Sequence, residues 1–217
     1  MKEQKIILFD LDGTLTESGE GITKSVQYAL RGFGIEEPDL DKLRVFIGPP
    51  LLDAFSHYYG LTREESVRAV GLYRERFRTI GIYENALYPG IREMLTCLQE
   101  AGHTLAVASS KPEPFVRTVL DYFEITPFFS VIVGATMDET RTAKKDVIEE
   151  ALRRLGRSGH PEHVIMVGDK AHDVIGASQA GVDCVAVQYG YGSREELETA
   201  GAPAIARTVE ELQELLL

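Results

Sequence analysis

The sequence predicts an α/β fold, a doubly wound parallel sheet with a small helical domain inserted after its first strand. Two observations carry this. Five short runs are apolar on consecutive residues with amphipathic helical patterns among them, and one long early stretch holds helical patterns only. Strands apolar on both faces are those buried between helices, as in parallel sheets. Alternation of strands and helices through right-handed crossovers builds such a sheet.

The first strand pattern is Ile6-Ile7-Leu8-Phe9, ended by Asp10. From residue 20 to residue 83 no strand pattern follows. Ile22, Val26, Leu30 and Phe33 form a helical stripe closed by Gly34, and Gly48-Pro49-Pro50 punctuates the middle. Val67, Val70, Tyr73, Phe77 and Ile80 form a longer stripe, opened by the capping box Thr62-Arg63-Glu64-Glu65. This block reads as a helical cap over residues 16–84, with linkers near 14–19 and 81–88. Residues 1–15 and 85–217 remain as the α/β core. There, Ile91, Leu95 and Leu98 line a helix ended by Gly102, before the strand Leu105-Ala106-Val107-Ala108. The strand Val131-Ile132-Val133 precedes a helix lined by Ile148, Ala151, Leu152 and Leu155, and Gly156 suits its left-handed cap. Val164-Ile165-Met166-Val167 and Val185-Ala186-Val187 are the last strands. Ser193-Arg194-Glu195-Glu196 and Thr208-Val209-Glu210-Glu211 read as capping boxes of two more helices.

A chain of 217 residues suits one good-sized domain carrying an insertion. Its net charge of −11 argues against nucleic-acid polymers and anionic membranes as partners. No apolar stretch approaches the ~18 residues of a membrane helix. Met1 to Lys5 run straight into the first strand, with no signal-peptide pattern. Cys97 and Cys184 are the only cysteines and read as core thiols in a reducing, cytoplasmic setting. No motif for self-association is evident, so a monomer is the default expectation.

Ligands of open α/β sheets bind beyond the carboxyl ends of the strands. After the first strand come Asp10-Leu11-Asp12-Gly13-Thr14, and after the second Ser109-Ser110-Lys111-Pro112. A loop after the third leads to Lys144-Lys145, and the fourth is followed by Gly168-Asp169-Lys170-Ala171-His172-Asp173. Each part alone has a plain structural role: aspartates form turns, Ser109 and Asp169 can cap helices, and lysines solvate helix faces. Together they bring carboxylates, a hydroxyl and a lysine to one crevice.

The joint pattern resembles the haloacid dehalogenase-like hydrolase superfamily. It comprises Asp10-x-Asp12-Gly13-Thr14, Ser109 ending a strand, Lys144 opening a helix, and Gly168-Asp169-x-x-x-Asp173. Phe46-Ile47-Gly48-Pro49-Pro50-Leu51, Gly81-Ile82-Tyr83-Glu84-Asn85, Tyr88-Pro89-Gly90-Ile91 and residues 189–197 are similar to the phosphoglycolate phosphatase-like and 5′-nucleotidase-like branch. The resemblance implies a Mg²⁺-dependent phosphomonoesterase acting on a small phosphorylated metabolite. Asp10 would be its nucleophile and Asp12 its general acid and base. Asp10, the Asp12 main-chain carbonyl and Asp169 would hold Mg²⁺, with Asp173 behind them. Ser109 and Lys144 would bind the phosphoryl group. The helix wheel favours Lys144 over Lys145, because Lys144 shares the stripe of Ile148, Ala151 and Leu155. Arg44 is a candidate for contacting an anionic leaving group from the cap. Other arginines there, Arg63, Arg68, Arg74, Arg76 and Arg78, read as solvated helix faces. A phosphomutase, or a non-catalytic binding protein on the same fold, are the alternatives.

Overall fold

The structure is a computed structural model and describes residues 4–138 and 140–217. The reading of Met1 to Glu3 lies outside the described residues. The chain divides into two compact units, one of the chain up to Thr16 with Leu87–Leu217, the other of Glu17–Ala86.

The larger unit is built on six strands: β1 (Ile6–Phe9), β4 (Thr104–Pro112), β5 (Val131–Ala135), β6 (Val164–Gly168), β7 (Asp183–Val187) and β8 (Ala204–Ala206). Strands β2 (Thr16–Glu17) and β3 (Ala86–Leu87) are two-residue pieces that form a separate ribbon. The main sheet runs β5-β4-β1-β6-β7-β8, with every pair parallel. All four residues of β1 are buried, as its uninterrupted apolar run requires. Strand β1 lies between β4 and β6, where the strand order turns back, which is the switch point at which such sheets bind ligands. Strand β8 has no clear sequence signal, because Ala204-Ile205-Ala206 is a short edge strand behind the turn residues Gly201-Ala202-Pro203.

The helices of this unit are α4 (Ile91–Glu100), α5 (Glu113–Tyr122), α6 (Lys144–Arg154), α7 (Ala171–Gln179), α8 (Arg194–Thr199) and α9 (Val209–Leu216). One core cluster joins Leu8, Met166 and Cys184 of the sheet to Val147, Ile148 and Ala151 of α6 and Val174 and Ala177 of α7. Fully burying one such aliphatic side chain contributes about 1.5–3 kcal/mol. Cys184 is buried and Cys97 only half-buried, and both are free thiols. Of the two expected capping boxes here, each is half-formed. Ser193 and Thr208 accept the N–H groups of Glu196 and Glu211. The Glu196 carboxylate instead accepts the Ala171 N–H at 2.9 Å, tying α8 to the start of α7. Glu211 binds the N–H and guanidinium of Arg207.

The smaller unit holds α1 (Gly19–Arg31), α2 (Leu51–Tyr59) and α3 (Arg63–Phe77), with short 3₁₀ turns at Leu40–Phe46 and Gly81–Tyr83. The capping box of Thr62 and Glu65 opens α3 in full. The buried stripe of α3 is Ser66, Ala69, Val70, Tyr73 and Phe77. Val67 and Ile80 are exposed, contrary to the expected stripe. Val67 sits one residue, about 100° of helix, off the Ser66 position, and Ile80 lies beyond the helix end. Arg76 is likewise no solvated charge. Its guanidinium grips Glu84 with two bonds of 2.8 and 3.0 Å, and Lys24 adds a third at 3.2 Å. The Arg76 and Lys24 bonds together outweigh burial and hold the Glu84 carboxyl below its ordinary pKa.

Candidate active site

Four adjacent pieces of the α/β unit converge beyond the carboxyl end of β1. Asp10 follows β1 directly, and its N–H donates to the carbonyl of Val167 in β6 at 2.9 Å. Its Oδ1 accepts the Leu11 N–H at 2.8 Å. Ser109 lies in the last part of β4, buried, and its hydroxyl pulls the pKa of the Asp10 carboxyl down. Lys144 opens α6, Asp169 follows β6, and Asp173 lies in the first turn of α7. Asp173 Oδ2 accepts the Lys170 N–H at 3.0 Å, the carboxylate half of a capping box, with no Ser or Thr to announce it in the sequence.

Lys144 is almost wholly buried. Its ammonium stands 3.0 Å from Asp10 Oδ1 and 2.8 Å from Asp173 Oδ1, and donates to the Ala108 carbonyl at 3.1 Å. Lys145, by contrast, is 42% exposed and pairs with Glu149 along its own helix at 3.5 Å. Burial would depress the Lys144 ammonium, but Asp10 and Asp173 overcome it and hold the charge firmly. For Asp173 burial pushes upward, and Lys144, helped by His172 and the Lys170 N–H, pulls the carboxyl below its usual range. For Asp10 the balance falls the other way. Burial and the Asp173 charge raise it despite Lys144 and Ser109. Asp169 is raised furthest, by burial first and then by Asp173 and Asp10.

The buried set therefore holds three carboxylates, Asp10, Asp169 and Asp173, and one ammonium, Lys144. Buried charges demand partners, and this set is short of positive charge by two. Asp169 locates the deficit: its Oδ2 accepts the Tyr191 N–H at 2.7 Å, while its Oδ1 is buried with no hydrogen-bond partner. An oxygen-only donor set with two uncompensated negative charges fits a hard divalent cation. Asp10, His172 and Asp173 also bring ligand atoms within 4.8 Å of one another and could hold an ion. Lys144 already pairs with two of these three, so the lysine is the cation of that triad. The open oxygen of Asp169 marks the better place for a metal.

Two glycines shape that place. At Gly13, with φ of 83°, a Cβ would meet Asp169 Oδ2 at 2.2 Å. At Gly190 a Cβ would lie 2.3 Å from the Gly13 carbonyl and 2.4 Å from Asp169 Cβ. The loop that carries Gly190 thus presses on the back of Asp169 while Tyr191 fixes one of its oxygens. Gly190→Ala should displace Asp169 and weaken Mg²⁺ or Mn²⁺ affinity by about 10–100-fold, the usual effect of disturbing a ligand's support. Calorimetric titration of the metal-free protein checks this, and an unchanged affinity would separate Asp169 from metal binding.

Lys111 is a site residue that sequence reasoning misses. Its ammonium lies 3.0 and 2.9 Å from the two oxygens of Asp12, both side chains being nearly buried. The signal is present in Ser109-Ser110-Lys111, but only the fold brings Lys111 back across to Asp12. Arg44 lies in the helical unit, where it is exposed and pairs with Asp41 at 3.7 Å.

A family model of haloacid dehalogenase-like hydrolases matches residues 7–187. The chain belongs to that family. A 5′-nucleotidase of Pseudomonas aeruginosa is 50% identical over 191 residues, covering 88% of this chain and 86% of that protein. A tyrosine-protein kinase, PtkA, of Mycobacterium tuberculosis is 39% identical over 214 residues, 98% of this chain and 72% of the relative. The crystal structure of a predicted phosphatase from Clostridium acetobutylicum superposes with a TM-score of 0.94 at 42% identity, covering 98% of each chain. This haloacid dehalogenase-like hydrolase thus has phosphatases among its relatives, and among its described residues no helix is long and apolar enough to cross a membrane.

Proposed function

We propose that this hydrolase is a Mg²⁺-dependent phosphomonoesterase of small phosphorylated metabolites, of the 5′-nucleotide or phosphoglycolate type, working through an aspartyl-phosphate on Asp10. The observation that carries the reading is the buried carboxylate excess around Asp10, with the unpartnered oxygen of Asp169 beside it. Asp10, the main-chain carbonyl of Asp12 and Asp169 would hold the metal. When bound, Mg²⁺ would offset the negative charge of the phosphoryl oxygens, so that a dianion can approach a carboxylate.

The rest is the work of the chain's own residues. An Asp10 oxygen bonds to phosphorus as the ester P–O bond breaks, and its electron pair goes to the leaving oxygen. Asp12 gives that oxygen a proton. Asp12, now a carboxylate, then takes a proton from water as the water oxygen attacks phosphorus. The acyl-phosphate bond breaks, phosphate leaves, and Asp10 is restored. The hydroxyl of Ser109 and the ammonium of Lys144 stand beside Asp10 and would bind phosphoryl oxygens as charge builds. Asp173 holds Lys144 in place. The helical unit would serve as the cap that closes over substrate and selects the leaving group, with Arg44 a contact for an anionic one. Two free thiols fit a reducing cytoplasm.

The test is phosphate release from phosphoglycolate, 5′-nucleotides, hexose phosphates, pyrophosphate and an aryl phosphate, with Mg²⁺ and with chelator. Release that needs metal supports the class, and the best ester names the substrate. Silence across the panel would overturn it. Because one relative is named a kinase, ATP with a tyrosine peptide belongs in the same experiment. Transfer to the peptide without release to water would also overturn the hydrolase reading.

A further inference from the structure

Asp12 stands two positions from Asp10, in a neighbourhood that already holds the buried carboxylates of Asp10, Asp169 and Asp173. A fourth carboxylate there is repelled by the others. Lys144 is committed to Asp10 and Asp173. Lys111 meets Asp12 instead, with its ammonium 3.0 and 2.9 Å from both carboxylate oxygens. The two side chains are only 6% and 12% exposed, so the pair is shielded from water.

The backbone of β4 is shaped to make this reach. Ala108 pairs with Val133 and Pro112 with Ala135, so four steps along β4 answer two along β5. Bulges of this kind re-aim side chains beside active sites. The Lys111 N–H donates to Ser109 Oγ at 3.3 Å, which ties the bulge to the hydroxyl beside Asp10. One short segment therefore supplies Ser109 to the nucleophile and Lys111 to the acid–base residue.

We propose that Lys111 is a positioning residue for proton transfer, holding the Asp12 carboxyl group where it meets the leaving oxygen. The inference rests on the phosphomonoesterase reading above. The ammonium keeps one Asp12 oxygen while the other carries the proton that passes to the leaving group. Without Lys111, the Asp12 side chain swings away from its three acidic neighbours, and the leaving oxygen departs without a donor.

Leaving-group dependence isolates this role. An alkyl phosphate needs the proton because an alkoxide leaves poorly, whereas 4-nitrophenyl phosphate expels a stable phenolate without one. Lys111→Met should lower kcat/KM for the preferred alkyl ester by about 10²–10³-fold, within the range of a general acid's contribution. The same variant should lower kcat/KM for 4-nitrophenyl phosphate by less than about 10-fold, below that range. Adding Lys111→Met to Asp12→Asn should cost nothing further, because residues acting as one unit are not additive. That double variant also leaves no unpaired charge, so it and Lys111→Gln carry the comparison if the single methionine variant folds poorly. Equal losses on both esters, a change in KM alone, or a further loss on the Asp12→Asn background would overturn the assignment. Wild-type protein that releases phosphate from neither ester would instead overturn the hydrolase reading beneath it.

Discussion

Asp10→Asn should reduce phosphate release by about 10⁴–10⁶-fold while leaving the fold intact, the scale of loss seen when a covalent enzyme loses part of its nucleophilic unit. Asparagine keeps the shape of the side chain and an oxygen for the Leu11 N–H. It removes the charged oxygen that would attack phosphorus. Lys144 retains Asp173 and the Ala108 carbonyl, so no buried ammonium is stranded. Asp10 sits where burial already pushes its carboxyl up more than Lys144 and Ser109 pull it down. Removing that charge should therefore not destabilise the metal-free protein, and its thermal midpoint should stay level or rise. Rapid acid quench after mixing with labelled substrate should trap phosphate on the wild-type protein and none on the variant. Turnover near the wild-type rate in a clean preparation would end the covalent mechanism.

Residues that lend themselves to pattern are legible in the amino-acid sequence itself. β1, β4, β6 and β7 are apolar on consecutive positions, and strand burial leaves such runs few alternatives. The acidic residues at their carboxyl ends share a crevice because parallel strands all point the same way. Lys144 separates from Lys145 because a helix turns about 100° per residue, so only one of two neighbours can face the core. What stays hidden depends on contacts distant in sequence. Lys111 and Asp12 lie 99 positions apart, and nothing local distinguishes that lysine from a solvated one. The loop at Gly190 is another case: its glycine is needed because Asp169 and Gly13 pass behind it, which only the folded chain shows. Pattern places Val70, Tyr73 and Phe77 in the α3 stripe but wrongly adds the apolar, exposed Val67 and Ile80 and passes over the small buried residues Ser66 and Ala69. Hydrophobicity identifies candidates for burial, but close helix contact favours small side chains that pattern reading undercounts.

Lys144→Met should cost stability as well as activity, and the cost should depend on pH in a direction opposite to ordinary acid denaturation. Removing one partner from a buried ion pair typically costs about 3–5 kcal/mol, because the other charge is left uncompensated. Here two carboxylates lose their ammonium at once. In the wild-type protein Asp173 sits below its ordinary pKa, since Lys144 outweighs burial. Its contribution is present above the unfolded-state pKa and is lost as pH falls through the folded one. In the variant burial acts on Asp173 unopposed by the lysine, and Asp10, already raised, rises further. Raised groups stabilise the fold below the unfolded pKa and lose that contribution as pH climbs through the folded value. The stability gap between wild type and variant should thus be small near the ordinary carboxylate pKa of ~4 and widen toward neutrality. Urea unfolding of both proteins with chelator present, at about pH 5 and about pH 7.5, on either side of most of that widening, measures the gap directly. A gap independent of pH would mean that Lys144 contributes through packing of its methylenes alone. A gap that widens with pH would show that the ammonium is what permits two acids to remain charged in the core.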